Sequence, residues 1–203
     1  MKRHHSSFAV VASLLLVLFL SACEKDVSPL SPRGDYYPVG KGSRWEYTGG
    51  NGYSFVKVVL ADTLLNDTTY AVLGDEEGRS FTAVRYENGR YYQLYNIYGQ
   101  FEEGHVFLRD DLPVGGTWTN EDFHRKEVYT IVAKDAKRTV EGREYANTLE
   151  VKIDSYYYYL SGQYDPRSTH RRIYARGVGE VALLADSPYG PTLLTAYQVE
   201  KSK

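Results

Sequence analysis

Cysteine is almost missing from this chain: Cys23 is the only one in 203 residues. No intramolecular disulfide can form, so the domain that follows must be held by its core. An excess of either charge is missing as well, with 24 basic against 26 acidic side chains. That balance excludes the basic stripe that nucleic acid requires and gives no polybasic membrane patch. Catalytic signatures are also absent. His105, His124 and His170 lie far apart without zinc-ligand spacing, and neither a Gly-x-Ser-x-Gly elbow nor a His-Glu-x-x-His run occurs. The acid pairs Glu76-Glu77, Glu102-Glu103, Asp110-Asp111 and Glu121-Asp122 read as solvated, because neighbours in a strand point to opposite faces. Asp110-Asp111 lacks the alternating oxygen ligands of a calcium loop. The expectation is a non-enzymatic protein without metal or cofactor.

Long apolar runs are limited to one, Phe8 to Leu20, preceded by Lys2 and Arg3. Its length suits the hydrophobic region of a secretion signal rather than a membrane span. The run closes on Leu20-Ser21-Ala22-Cys23, which resembles the bacterial lipobox: small residues precede a thiol that accepts a diacylglyceryl group. Residues 1–22 are therefore expected to be a lipoprotein signal peptide, with Cys23 the lipidated first residue of the mature chain. Two or three acyl chains of the palmitate kind exceed what stable anchoring needs, at about 0.8 kcal/mol per buried methylene. Residues 23–35 carry Pro29, Pro32, Ser28, Ser31 and Gly34 and read as a flexible tether. Arg33-Gly34-Asp35 is treated as a chance triplet. Glu24-Lys25-Asp26 faintly resembles surface-export signals of Bacteroidota lipoproteins; the expected location is the cell envelope, at the outer membrane facing the periplasm.

What the chain has in abundance is tyrosine, 20 residues against 7 phenylalanines. Tyrosine suits half-buried strands, with the ring packed and the hydroxyl wet. From Trp45 onward the pattern alternates with period two between turn residues, and no amphipathic helix of three turns is evident. The clearest hairpin runs from Phe81 to Tyr95 around Asn88-Gly89, a pair that fits the positive φ angles of a type I′ turn. Its register sets Glu87 against Arg90, Tyr86 against Tyr91, Arg85 against Tyr92 and Ala83 against Leu94. Further strands are expected at 53–61, 70–73, 105–109, 127–133, 145–153, 169–175, 180–185 and 193–200. The fold class is all-β: an antiparallel curved sheet, half-barrel or barrel, forming a single domain over residues 36–203.

A weak internal repeat divides that domain at 36–111 and 112–203. Tyr37-Pro38-Val39-Gly40 before Trp45 recurs as Leu112-Pro113-Val114-Gly115 before Trp118. The parsimonious reading is two similar β-meander halves sharing one core. Each Trp follows a Pro-Val-Gly turn that tucks it inward as a core anchor. Gly177-Val178-Gly179, with a strand rather than a helix after it, reads as a tight turn or bulge that lets neighbouring backbone approach.

Three stretches carry a family resemblance: Tyr36-Tyr37-Pro38 to Trp45-Glu46-Tyr47, Val140 to Leu149, and Tyr174 to Val181. Together they resemble uncharacterised envelope lipoproteins of Bacteroidota, similar to DUF3108-like families and distantly to LolA/LolB/LppX-type lipoprotein carriers. The resemblance implies a curved sheet around an acyl-binding cavity closed by helices, and this sequence offers no helices for such a lid.

The run Tyr156-Tyr157-Tyr158-Tyr159 sends its rings alternately to both faces, so some tyrosine is expected to be exposed. With Tyr91, Tyr92 and Tyr95, and with Tyr98 and Tyr164 nearby, it is the candidate surface for stacking on sugar rings or gripping a partner. The expected function is binding of a hydrophobic ligand, a glycan or a protein partner by a membrane-anchored β-domain. The alternative is a structural or assembly accessory of an envelope complex.

Overall fold

A computed structural model describes residues 35–97, 100–122, 124–158, 164–185 and 190–200. Cys23, the signal peptide, the tether up to Gly34, Tyr98 and Tyr159 lie outside the described residues, as do the side chains of Tyr164 and its next three neighbours. Twelve strands follow one another: β1 (Arg44–Gly49), β2 (Ser54–Leu65), β3 (Thr68–Gly74), β4 (Ser80–Glu87), β5 (Arg90–Ile97), β6 (Gln100–Arg109), β7 (Thr117–Glu121), β8 (Arg125–Val140), β9 (Arg143–Tyr158), β10 (Tyr164–Ala175), β11 (Gly179–Ala185) and β12 (Thr192–Gln198). No helix occurs among the described residues.

All twelve belong to one antiparallel sheet ordered β6-β5-β4-β3-β2-β1-β12-β11-β10-β9-β8-β7. The first six strands run as one meander and the last six as another, joined where β1 pairs with β12. Strands β6 and β7 are left as the two edges. The sheet rolls until those edges meet: the Trp118 indole of β7 donates to the Val106 carbonyl of β6 at 2.8 Å, and the Asn120 amide donates to the same oxygen at 2.9 Å. No backbone ladder joins them, so the tube is slit along one side. Of the expected alternatives, the structure is the curved, half-barrel kind and not a closed barrel.

Local chemistry explains the hairpins. Asn88 and Gly89 have φ of 51° and 80°, the left-handed pair of a type I′ turn whose twist matches the flanking strands. The pairing of β4 with β5 reproduces the four residue pairs read from the sequence. Two further two-residue turns use the same conformation, at Asn66-Asp67 and Glu141-Gly142.

Strands β8 and β9 extend well past the expected 127–133 and 145–153. Their ladder is interrupted by bulges after Ile131, Lys134 and Ala136, with Asp135 and Asn147 at φ 53° and 51°. Each bulge inserts a residue and flips the alternation, so on β8 the period-two signal stops where the strand does not.

The two tryptophan turns share one hydrogen-bond scheme. Gly42 donates to the Val59 carbonyl, the Val59 amide donates to the Ser43 carbonyl, and the Ser43 amide donates back to the Gly40 carbonyl. In the same way Gly115 donates to Ile131, the Ile131 amide donates to Gly116, and Gly116 donates back to Pro113. This geometry matches Gly42, not Gly40, with Gly115. Two residues beyond each Ser43 or Gly116 position sits a buried tryptophan, Trp45 or Trp118.

One end of the rolled sheet is filled by aromatic rings. Tyr37, from the segment before β1, packs against Trp45, Phe107 and Tyr174. Phe107 of edge strand β6 lies 6.5 Å from Tyr174 of β10, a contact that only the curvature makes possible. Gly179 allows the Trp45 indole to reach the Val178 carbonyl at 2.6 Å, since a Cβ there would lie 3.2 Å from the indole nitrogen.

Candidate functional site

Beyond the aromatic end, the inner face becomes polar. The register places Lys57 of β2 directly opposite Trp45, and Glu180 of β11 opposite Tyr174. Arg172 lies two residues before Tyr174 on β10, on the same face. Lys57 Nζ is 3.6 Å from Glu180 Oε2, and Arg172 Nε is 3.9 Å from Glu180 Oε1. Two cations therefore face one carboxylate. The ammonium also sits 4.9 Å from the centroid of the Tyr47 ring, a cation–π contact.

Although these groups are deep in the fold, 22% of the Lys57 side chain and 31% of the Arg172 side chain stay accessible, against 8% for Glu180. Solvent therefore reaches both cations. Burial pulls the Lys57 ammonium below its usual range; Glu180 opposes the drop and Arg172 adds to it. Burial holds the hydroxyls of Tyr37, Tyr47 and Tyr174 protonated well above the ordinary tyrosine range. They are donors at neutral pH and not bases. The Tyr174 hydroxyl and the Arg172 guanidinium face each other, and the Tyr174 hydroxyl and Arg172 Nε are buried atoms with no partner at ordinary hydrogen-bond geometry.

A second polar group lies further along the same face. Glu127 accepts from the Tyr129 hydroxyl at 2.6 Å and from Ser155 Oγ at 3.3 Å, and pairs with Arg125. Nearby His170 is pushed below its ordinary value, first by burial and then by Arg172 and Arg125, with Glu127 and Glu180 opposing. A base whose folded pKa is depressed stays neutral in the fold while the unfolded chain takes up a proton. Its contribution to stability is complete above the unfolded value of about 6.5 and is lost as pH falls toward the folded one. Asp111, held low by its Arg109 hydrogen bonds, has the same sign but acts in the lower, carboxylate window. Urea unfolding is therefore expected to show a loss of stability beginning just below pH 6.5, and His170→Gln is expected to remove that step while leaving the carboxylate step. An unchanged profile in the variant would assign the step elsewhere.

The tyrosines read from the sequence are divided by the structure. Tyr91 is fully buried; its hydroxyl donates to Asp110 at 2.8 Å and accepts from the Tyr36 amide at 3.1 Å. It is a core residue and belongs to no surface. Tyr92 points to the opposite face, beneath the Arg85 guanidinium at 3.8 Å. Tyr95 is 46% exposed, with its ring against His105. On β9, Tyr157 shares the inner-face register with Ser155 and lies under Arg125, while Tyr156 and Tyr158 face the other way.

Lys57, Arg172 and Glu180 were not singled out by sequence. The available signal was a charge at an inward position within an apolar strand, as in Phe55-Val56-Lys57-Val58-Val59. Among the described residues no group of three acids, histidines or cysteines is placed to hold a metal ion, and no helix is long and apolar enough to cross a membrane.

No protein-family model matches the chain, and no curated protein matches it. Two solved structures are similar to it. One is described as an exported protein with a YmcC-like fold from Bacteroides fragilis, with a TM-score of 0.49 and 9% identity, covering 81% of this chain and 99% of that one. The other is described as a lipoprotein from Parabacteroides distasonis, with a TM-score of 0.47 and 11% identity, covering 81% and 98%.

Proposed function

We propose that this chain is a non-enzymatic lipoprotein of the cell envelope, anchored through Cys23 at the outer membrane and facing the periplasm, whose rolled sheet binds a ligand on its inner face. The observation that carries the reading is the accessible pair Lys57 and Arg172 inside a fold whose other end is packed with rings. A sheet serving only as a spacer gains nothing from charges on its inner face, because burying them costs free energy that apolar side chains would not. Binding sites, by contrast, are concave and combine apolar walls with a few placed polar groups. The exposed rings of Tyr95 and Tyr157 lie on the inward register farther along the strands, where a ligand would enter.

Native mass spectrometry of the protein extracted from membranes tests both parts. The expected spectrum shows a chain beginning at Cys23 with covalent acyl mass, and a further non-covalent mass released on activation. An unmodified Cys23 in a mature chain would refute the anchor. Acylated protein that carries no small molecule and retains another envelope protein would overturn the ligand reading in favour of an accessory subunit.

A further inference from the structure

Charge counting on the inner face leads further, on the reading that this face receives a ligand. Lys57 and Arg172 share the single carboxylate of Glu180, at 3.6 and 3.9 Å. Both separations are too long for a hydrogen bond. The next acid along the face, Glu127, is already committed to Tyr129, Ser155 and Arg125, so it does not supply the missing charge. Arg172 presents a planar fork of donors suited to two acceptor oxygens; the fork faces the Tyr174 hydroxyl, and its Nε meets no acceptor at ordinary hydrogen-bond geometry. The hydroxyl of Tyr174, a residue of 0% exposure, lies against that guanidinium, and its own proton meets no acceptor at ordinary hydrogen-bond geometry. A buried donor left unmade costs about 1–3 kcal/mol, and native folds leave few such groups without a reason. Here the two meet at a position with one surplus positive charge, where 22% of the Lys57 side chain and 31% of the Arg172 side chain are accessible.

We infer that the inner face at Lys57, Arg172 and Tyr174 binds one anionic group with at least two oxygens, a carboxylate or a phosphate. Arg172 and Tyr174 donate to its oxygens, and Lys57 neutralises the remaining charge across from Glu180. The same chemistry could arrive on a free phosphate, on a sugar acid or on an acyl-chain acid.

The test uses the full acylated chain in an uncharged detergent. It is titrated with inorganic phosphate, glucuronate and octanoate, and with glucose and octanol as uncharged counterparts. Binding is read by calorimetry and by the Nε–H resonance of Arg172 in nitrogen-labelled protein. At least one anion is expected to bind and to move that resonance, its neutral counterpart is expected to do neither, and which anion does so identifies the source. Arg172→Met is expected to weaken the binding at least tenfold, and Lys57→Met to weaken it too. Because either variant could loosen the fold, Tyr174→Phe, which removes one hydroxyl only, supplies the second measure, with an expected severalfold loss at unchanged melting temperature. If no anion moves the Arg172 resonance at millimolar concentration, the inference is wrong. If the anions fail while membrane-extracted protein still carries an uncharged molecule, the binding reading survives and the anionic assignment alone falls.

Discussion

Trp45→Ala is expected to lower the stability of the domain by about 4 kcal/mol, within the range for removing a large aromatic from a core. The indole is 2% exposed, stacks near Tyr37 at 6.1 Å and donates to the Val178 carbonyl across the sheet. Its loss opens a cavity where β1, the N-terminal segment and the β10–β11 turn meet. Since a domain of this kind has about 5–15 kcal/mol in total, urea unfolding should show most of that margin gone. Trp45→Phe separates the contributions: the ring is largely kept and the donor removed, with an expected cost of about 1–2 kcal/mol. The equivalent change at Trp118 should cost less, because Asn120 still donates to the Val106 carbonyl that the indole leaves. Equal losses at the two tryptophans would contradict this account of the seam.

Glu180→Gln is expected to cost about 3 kcal/mol, at the low end of what breaking a buried ion pair costs. The side chain keeps its shape, and the backbone carbonyl that accepts from Tyr47 is untouched. What disappears is the carboxylate charge that faces both Lys57 and Arg172. The low end applies because both cations keep some access to solvent. The informative comparison is the double variant Lys57→Met with Glu180→Gln, which removes one surplus cation together with the acid. It should be more stable than Glu180→Gln alone when both are unfolded in urea at neutral pH. If the double variant loses as much as or more than the single one, charge imbalance is not what Glu180 relieves.

How much of this was legible beforehand depends on the range of the interaction involved. The Asn88-Gly89 hairpin could be read to the residue pair, because turn type and alternation both act within a few positions. Trp45 and Trp118 could be placed in the core for the same reason: a local turn precedes each. The full length of β8 could not, since the bulges from Ile131 to Arg138 reset the alternation on which the reading depends. Tyr91 shows a different limit. Tyrosine suits a core with a hydroxyl partner as well as a wet surface, and the partners that decide, Tyr36 and Asp110, come from 55 and 19 residues away. The same holds for Lys57, Arg172 and Glu180. Alternation assigns each to a face, but only the rolling of the sheet turns that face into an interior and brings β2 opposite β10 and β11.

The seam between β6 and β7 has a mechanical consequence. A tube slit along its length resists twisting far less than a closed one, because its two lips can slide past each other. Here the lips are held by two side chains on one carbonyl oxygen, and hydrogen bonds contribute about 0.5–1.5 kcal/mol each. Sliding them breaks no rung of the twelve-stranded ladder, so the two lips can shift past each other without unpairing a strand. A closed barrel would have to unzip a strand pair to do the same.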